Sequence, residues 1–235
     1  MSQCTITLSA NAGVAIEFGG YKIWSDLLHD EKVPGFSTVS EELWLAIRRS
    51  VAFRDPDLIF FTHRHPDHYS RSLTAQAKAL WPHAALILPE PEFDGQILLQ
   101  GKEFRVPFQT LTLQFLKLSH EGEEFAAVPH YGLLITRDNF RILIPGDCAV
   151  ASPALAEQIR GMKIDLALLD FPWITQKAGR AFIEQVIRPG HLFLYHLPFQ
   201  EDETHRYRAA AQRCLGRVEV PDVRLLLEPL QQEWL

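Results

Sequence analysis

The chain has 235 residues, 47% of them hydrophobic and 22% charged, and 23 Lys and Arg against 29 Asp and Glu leave a net charge of −6. A chain of this length buries roughly 70–75% of its extended surface on folding and needs no disulfide staple. The acidic balance argues against a nucleic-acid backbone as the main ligand, because phosphate contacts need a basic surface. The three cysteines, Cys4, Cys148 and Cys214, form no CxxC pair, which argues against a cysteine zinc site or a disulfide framework. Met1-Ser2-Gln3-Cys4 lacks a basic segment followed by an apolar core, and no apolar stretch approaches the roughly 20 residues of a membrane span. The expectation is a cytoplasmic protein with no membrane partner.

Thr5 to Leu8, Val14 to Phe18 and Tyr21 to Ser25 read as three short strands joined by tight turns, an antiparallel meander that ends at Asp26. A loop with Pro34 and Gly35 follows. Thr38-Val39-Ser40-Glu41 fits a capping box, with Thr38 as cap and Glu41 three residues on, before a helix through Ile47. Asp57 to Thr62 is an apolar strand, Ser70 caps a helix to Leu80, and Ala85 to Leu88 is another strand. Thr110 to Leu118 alternates as a half-buried strand. Tyr131 to Thr136 and Phe140 to Ile144 are strands joined by Arg137-Asp138-Asn139. Ser152-Pro153 starts a helix, with proline at its first position. Ile164 to Leu169 and His191 to Tyr195 are strands separated by a helix around 181–187. Asp202 is a candidate cap for a helix through Cys214, and Val223 to Leu227 forms the last strand. With no internal repeat and no linker, the pattern fits one mixed α/β domain over 1–235, two sheets face to face with helices outside.

The densest chemistry is Thr62-His63-Arg64-His65-Pro66-Asp67-His68, three imidazoles and a carboxylate in six residues directly after a strand. Such a loop is held by a rigid scaffold at a pocket mouth. Neutral imidazole and carboxylate suit zinc, manganese or iron. His63 and His65 are placed to grip one ion, and Asp67 and His68, past the Pro66 bend, to reach a second. His120, Asp147 and His196 also follow predicted strands, which brings the candidate ligands to seven. Asp147 is the natural bridge, since one carboxylate can offer an oxygen to each of two ions and offset their repulsion.

With HRHPDH at 63–68, His120, the Gly146-Asp147 step and His196, the sequence resembles the metallo-β-lactamase superfamily of hydrolases. The resemblance covers nearly the whole chain. It implies a four-layer αββα sandwich of two mixed sheets with helices on the outer faces, and a dinuclear site. It also implies that His63, His65 and His120 hold one ion and Asp67, His68 and His196 the other, with Asp147 bridging and Asp26 supporting them from behind. The short length and Tyr195-His196-Leu197-Pro198 look most like the ascorbate-6-phosphate lactonase-like branch. Two departures bear on the substrate: Cys148 follows the bridging aspartate, and Ser9 to Gly13 lacks a histidine often seen at this turn.

The function expected is a hydrolase with two divalent ions, zinc before manganese or iron, cleaving a small-molecule ester, lactone, thioester or phosphate ester. The ions activate water and Asp67 orients it before transfer of its proton. Rival readings are a nucleotide or RNA phosphodiesterase, which the acidic balance disfavours, and a non-catalytic metal-binding regulatory protein. Tyr69, His130, Trp173 and Phe199 are candidate substrate contacts, Trp173 fitting a pocket wall and a core corner equally. His130 is the rival of His120 as ligand. Lys177 and Arg180 fit either an anion site or a solvated helix face. A homo-oligomer is left open.

Overall fold

The computed structural model describes residues 4–200 and 204–235. Two compact units divide them. The first takes 4–99, 198–200, 204–205 and 227–235; the second takes 100–197 and 206–226.

The first unit opens with an antiparallel meander, β1 (Cys4–Leu8), β2 (Val14–Phe18) and β3 (Tyr21–Ser25). It continues through α1 (Glu41–Arg49), β4 (Leu58–Phe60), α2 (Arg71–Leu80), β5 (Ala85–Leu88) and β6 (Ile97–Leu98). From β3 onward the strands pair in parallel, so each needs a crossover. The helices α1 and α2 supply the first two. Every residue of β4 is buried, the continuous apolar reading expected of a parallel strand covered on both faces. Trp24, Trp44, Phe53, Phe61, Tyr69 and Trp81 dominate the unit's helix-side core, with Trp81 edge-on to Trp24 at 5.0 Å and to Trp44 at 6.2 Å.

The second unit repeats the plan. A meander of β7 (Glu103–Phe108), β8 (Leu111–Lys117), β9 (Tyr131–Arg137) and β10 (Phe140–Ile144) leads into parallel strands. These are β11 (Leu166–Asp170), β12 (His191–Tyr195) and β13 (Asp222–Leu225). The crossovers carry α3 (Pro153–Gln158), then α4 (Pro172–Thr175) and α5 (Lys177–Phe182), then α6 (Tyr207–Cys214). The last strand, β14 (Gln232–Trp234), returns to the first unit and pairs with β1. Each unit thus holds a mixed seven-stranded sheet, ordered β14-β1-β2-β3-β4-β5-β6 and β13-β12-β11-β10-β9-β8-β7. Among the described residues no helix is long and apolar enough to cross a membrane.

Several local expectations change. The cap of α1 is Ser40, not Thr38: its Oγ accepts the Leu43 N–H at 3.2 Å, and Glu41 and Glu42 occupy the first turn. Glu41 therefore complements the helix dipole rather than closing a capping box. The helix expected around 181–187 begins at Lys177 and ends in a π-turn, Ile183–Ile187. Asp202 lies outside the described residues, and α6 starts at Tyr207 after Arg206 in the left-handed region (φ 52°). The strand expected from Val223 to Leu227 runs Asp222–Leu225. Ser70 and Ser152 cap α2 and α3 as expected, accepting from Leu73 and Leu155. Strands β6, β7 and β14 are additions. Edge strand β7 alternates exposed and half-buried and tolerates Pro107 because an edge leaves N–H groups unpaired.

Candidate metal centre

In the first unit the strand ends deliver Asp26, after β3, and the 62–68 loop, after β4. Antiparallel pairing gives way to parallel at β3, and both segments leave the carboxyl ends of neighbouring parallel strands. Asp26 is fully buried and sits in the left-handed region (φ 50°). An aspartate tolerates that conformation better than a bulky residue, and such strain gathers at functional sites. Its Oδ1 accepts the Thr62 backbone N–H at 2.7 Å and its Oδ2 accepts the Thr62 hydroxyl at 2.8 Å. The same Oδ2 lies 3.3 Å from His68 Nδ1.

Hydrogen-bond logic then fixes the rings. The Thr62 hydroxyl proton is spent on Asp26, so its oxygen can only accept from His63 Nδ1, 2.9 Å away. His68 Nδ1 faces the same carboxylate at a looser 3.3 Å. The His63 imidazole is thereby held with Nδ1 protonated and Nε2 carrying the lone pair a metal needs. His63 Nε2 faces His65 Nδ1 at 3.0 Å. Two nitrogens bound to one tetrahedral ion at 2.0–2.1 Å would sit roughly 3.3 Å apart, so this pair is already at ligand spacing. His63 also approaches His68 within 4.8 Å, nitrogen to nitrogen, and an Asp67 oxygen reaches a His68 nitrogen within the same distance. The turn is closed by His68 and Tyr69 N–H groups donating to the His65 carbonyl.

In the second unit His120 follows β8, Asp147 follows β10 and His196 follows β12. His120 Nδ1 lies 2.6 Å from the Glu121 carbonyl. A carbonyl only accepts, so Nδ1 is again the donor and Nε2 the free acceptor. His120 Nε2 and His196 Nε2 stand 4.0 and 3.6 Å from Asp147 Oδ2. These distances exceed a hydrogen bond and are of the order that separates donors sharing one ion. His196 is 4% exposed and left-handed (φ 57°). Both donor groups therefore fit a divalent cation: neutral nitrogen and carboxylate oxygen, buried, ring-oriented and spaced.

The remaining candidates divide. His130 is buried, its ring 5.6 Å from that of His120. Tyr69 is 8% exposed, edge-on to Phe61 and beneath the Arg64 guanidinium, and burial pushes its hydroxyl up to about 12. Phe199 is partly buried and donates its backbone N–H to Ser37 Oγ. Trp173 takes the core-corner position, fully buried against Phe182. Arg180 spends its guanidinium on the Ile174 and Thr175 carbonyls, so it closes α4 rather than standing free for an anion. Cys148 is buried and its thiol pushed up to about 12, chiefly by burial, which makes it inert rather than a thiolate. Thr62 and Glu121 escaped the sequence reading. A threonine directly before the histidine loop was a faint signal; Glu121 looks like one member of an acidic surface run.

A family profile described as a β-lactamase superfamily domain matches residues 34–197. Among curated proteins none matches the chain. The metallo-β-lactamase fold protein YhfI from Bacillus subtilis is 14% identical, with a TM-score of 0.68 and full coverage of both chains. Igni18, a metallo hydrolase from the archaeon Ignicoccus hospitalis, is 15% identical with a TM-score of 0.65, covering 99% of this chain and 98% of that one. CmlA, a diiron β-hydroxylase from Streptomyces venezuelae, is 12% identical with a TM-score of 0.67; the match covers 100% of this chain and 54% of CmlA. The chain thus spans about half of CmlA.

Proposed function

The chain belongs to the metallo-β-lactamase superfamily, and on that premise we propose that it is a dinuclear metal-dependent hydrolase of a small-molecule ester, lactone, thioester or phosphate ester. The observation that carries the reading is the pair of Nε2 acceptors left by anchored Nδ1 atoms on His63 and His120, with His68 Nδ1 set 3.3 Å from the Asp26 carboxylate. By the superfamily pattern His63, His65 and His120 would hold one ion and Asp67, His68 and His196 the other, with Asp147 as the carboxylate they would share. The whole chain then works as one domain. Zinc is the first candidate, manganese or iron the next. The Tyr195-His196-Leu197-Pro198 end supports the ascorbate-6-phosphate lactonase-like branch, so a lactone heads the substrate panel.

A bound divalent ion lowers the pKa of water from 15.7 to about 7 and polarises a carbonyl or phosphoryl oxygen. The protein's own part is orientation and proton transfer. Asp26 holds Thr62 and His68, Thr62 holds His63, and an Asp67 carboxylate oxygen steers the attacking water and accepts its proton. Tyr69, Phe199 and His130 remain the proposed substrate neighbours.

The test is metal content of the purified protein by elemental analysis, then a lactone, thioester and phosphate-ester panel with that metal restored. Wild type should turn over at least one substrate. Asp147→Asn, which keeps the shape but removes the negative charge and turns one oxygen into an amide donor, should lower kcat/KM by at least about 100-fold. Unchanged turnover in that variant would refute the site. If RNA cleavage with steep salt dependence appears instead, the phosphodiesterase reading replaces this one.

A further inference from the structure

We propose that Glu121 is a positioning residue of the metal centre, setting His120 against Asp147 from outside the ligand set. The inference rests on the proposed metal-dependent function. Glu121 is the meeting point of three contacts. Its backbone carbonyl accepts His120 Nδ1 at 2.6 Å. Its backbone N–H donates to the Asp147 carbonyl at 2.9 Å. Its carboxylate Oε2 accepts the Val150 N–H at 2.7 Å.

These contacts sit on a two-strand clamp. His120 and Cys148 form an isolated antiparallel bridge, and the Ala149 N–H donates to the Ser119 carbonyl at 2.8 Å. The clamp fastens the segment after β8 to the segment after β10, and each carries one ligand. Backbone pairing alone is short, and a single bridge frays easily. The Glu121 carboxylate adds a charge-assisted bond one residue beyond it, which fixes where the Asp147–Val150 segment runs. The same residue's carbonyl fixes the tautomer and plane of His120. Outer partners of this kind commonly alter metal affinity by 10–100-fold when removed. Glu123 and Glu124, two and three residues on, are exposed and make no such contact to the clamp.

The test compares Glu121→Ala with Glu121→Gln. Glutamine keeps a side-chain oxygen for the Val150 N–H; alanine does not. Zinc affinity is read by competition with a chromogenic chelator, and the His120 tautomer by long-range 1H–15N correlation in metal-free protein. Glu121→Ala should bind zinc about 10–100-fold more weakly and, with the Val150 bond gone and the clamp loosened, let the residue-121 carbonyl swing away from His120 Nδ1, so that the fixed Nδ1–H state is lost. Glu121→Gln should stay close to wild type in both. A folded Glu121→Ala with an unchanged tautomer overturns the inference, and so does a Glu121→Gln as impaired as the alanine variant. If wild type itself binds no zinc or manganese, the proposed function fails; the metal-free tautomer readout still decides the role of Glu121. Should Glu121→Ala not fold, Glu121→Asp, whose shorter side chain retracts the oxygen from Val150, takes its place under the same criteria.

Discussion

Asp26 shows how one carboxylate can serve two candidate ligands. It orients His63 through the Thr62 hydroxyl and lies 3.3 Å from His68 Nδ1, and its left-handed backbone accompanies a side chain turned toward that loop. Asp26→Asn puts an amide donor opposite either the Thr62 N–H or the Thr62 hydroxyl and His68 Nδ1. Zinc affinity should then fall by about 10–100-fold, measured by chelator competition, with the circular dichroism spectrum retained. Cys148 makes a contrasting prediction at the same scale. Its thiol is raised to about 12, so the thiolate is scarce at every pH below that value. Native protein should leave Cys148 unlabelled by a thiol reagent from pH 7 to 9, and urea should expose it, as peptide mapping would show. The residues easiest to read in the sequence were those with dense chemistry, His63 to His68. Thr62 and Glu121 were illegible because one acts through a hydroxyl relay and the other through a carboxylate bond to Val150, whose partner no local pattern names.

Helix starts were legible where the cap directly precedes the periodic run, as at Ser70 and Ser152. At α1 two hydroxyl residues compete, and sequence spacing favoured the wrong one. Thr38 and Ser40 both stand near the start, but Val39 donates its N–H to the His29 carbonyl, which holds the chain extended and delays the first turn until Ser40. Ser40→Ala should therefore cost about 1 kcal/mol in urea unfolding, and Thr38→Ala should cost much less. Strands were legible when buried on both faces, as with β4, β11 and β12. The edges β6, β7 and β14 were not: β6 and β14 are very short, β7 carries Pro107 inside its alternation, and all three form because a neighbour offers unpaired backbone groups. Gly179 marks a close approach of the same kind. A Cβ there would lie 2.2 Å from the Trp173 carbonyl oxygen, so α5 can pack against α4 only with glycine at that position.

At the scale of the whole molecule the chain's two ends meet in one sheet. Cys4 to Leu8 pairs with 232–234, and Leu8 exchanges backbone hydrogen bonds with Leu230 and Gln231. Deleting 227–235 strips β1 of a neighbour and exposes an apolar edge. A loss of 2 kcal/mol or more would lower Tm by at least roughly 4 °C, and calorimetry of the truncated chain should show this together with faster aggregation. The sequence by itself determined the mixed α/β character and the seven candidate ligands, and through them the resemblance to the superfamily, which in turn suggested Asp26 as support. The first two rest on side-chain chemistry and on periodicities confined to a few neighbouring residues. Only the tertiary structure decided the strand order, the edge strands, the tautomers set by Asp26 and Glu121, and the fates of Trp173 and Arg180. Each of those depends on a hydrogen bond or a packing contact whose partner the local sequence pattern does not specify.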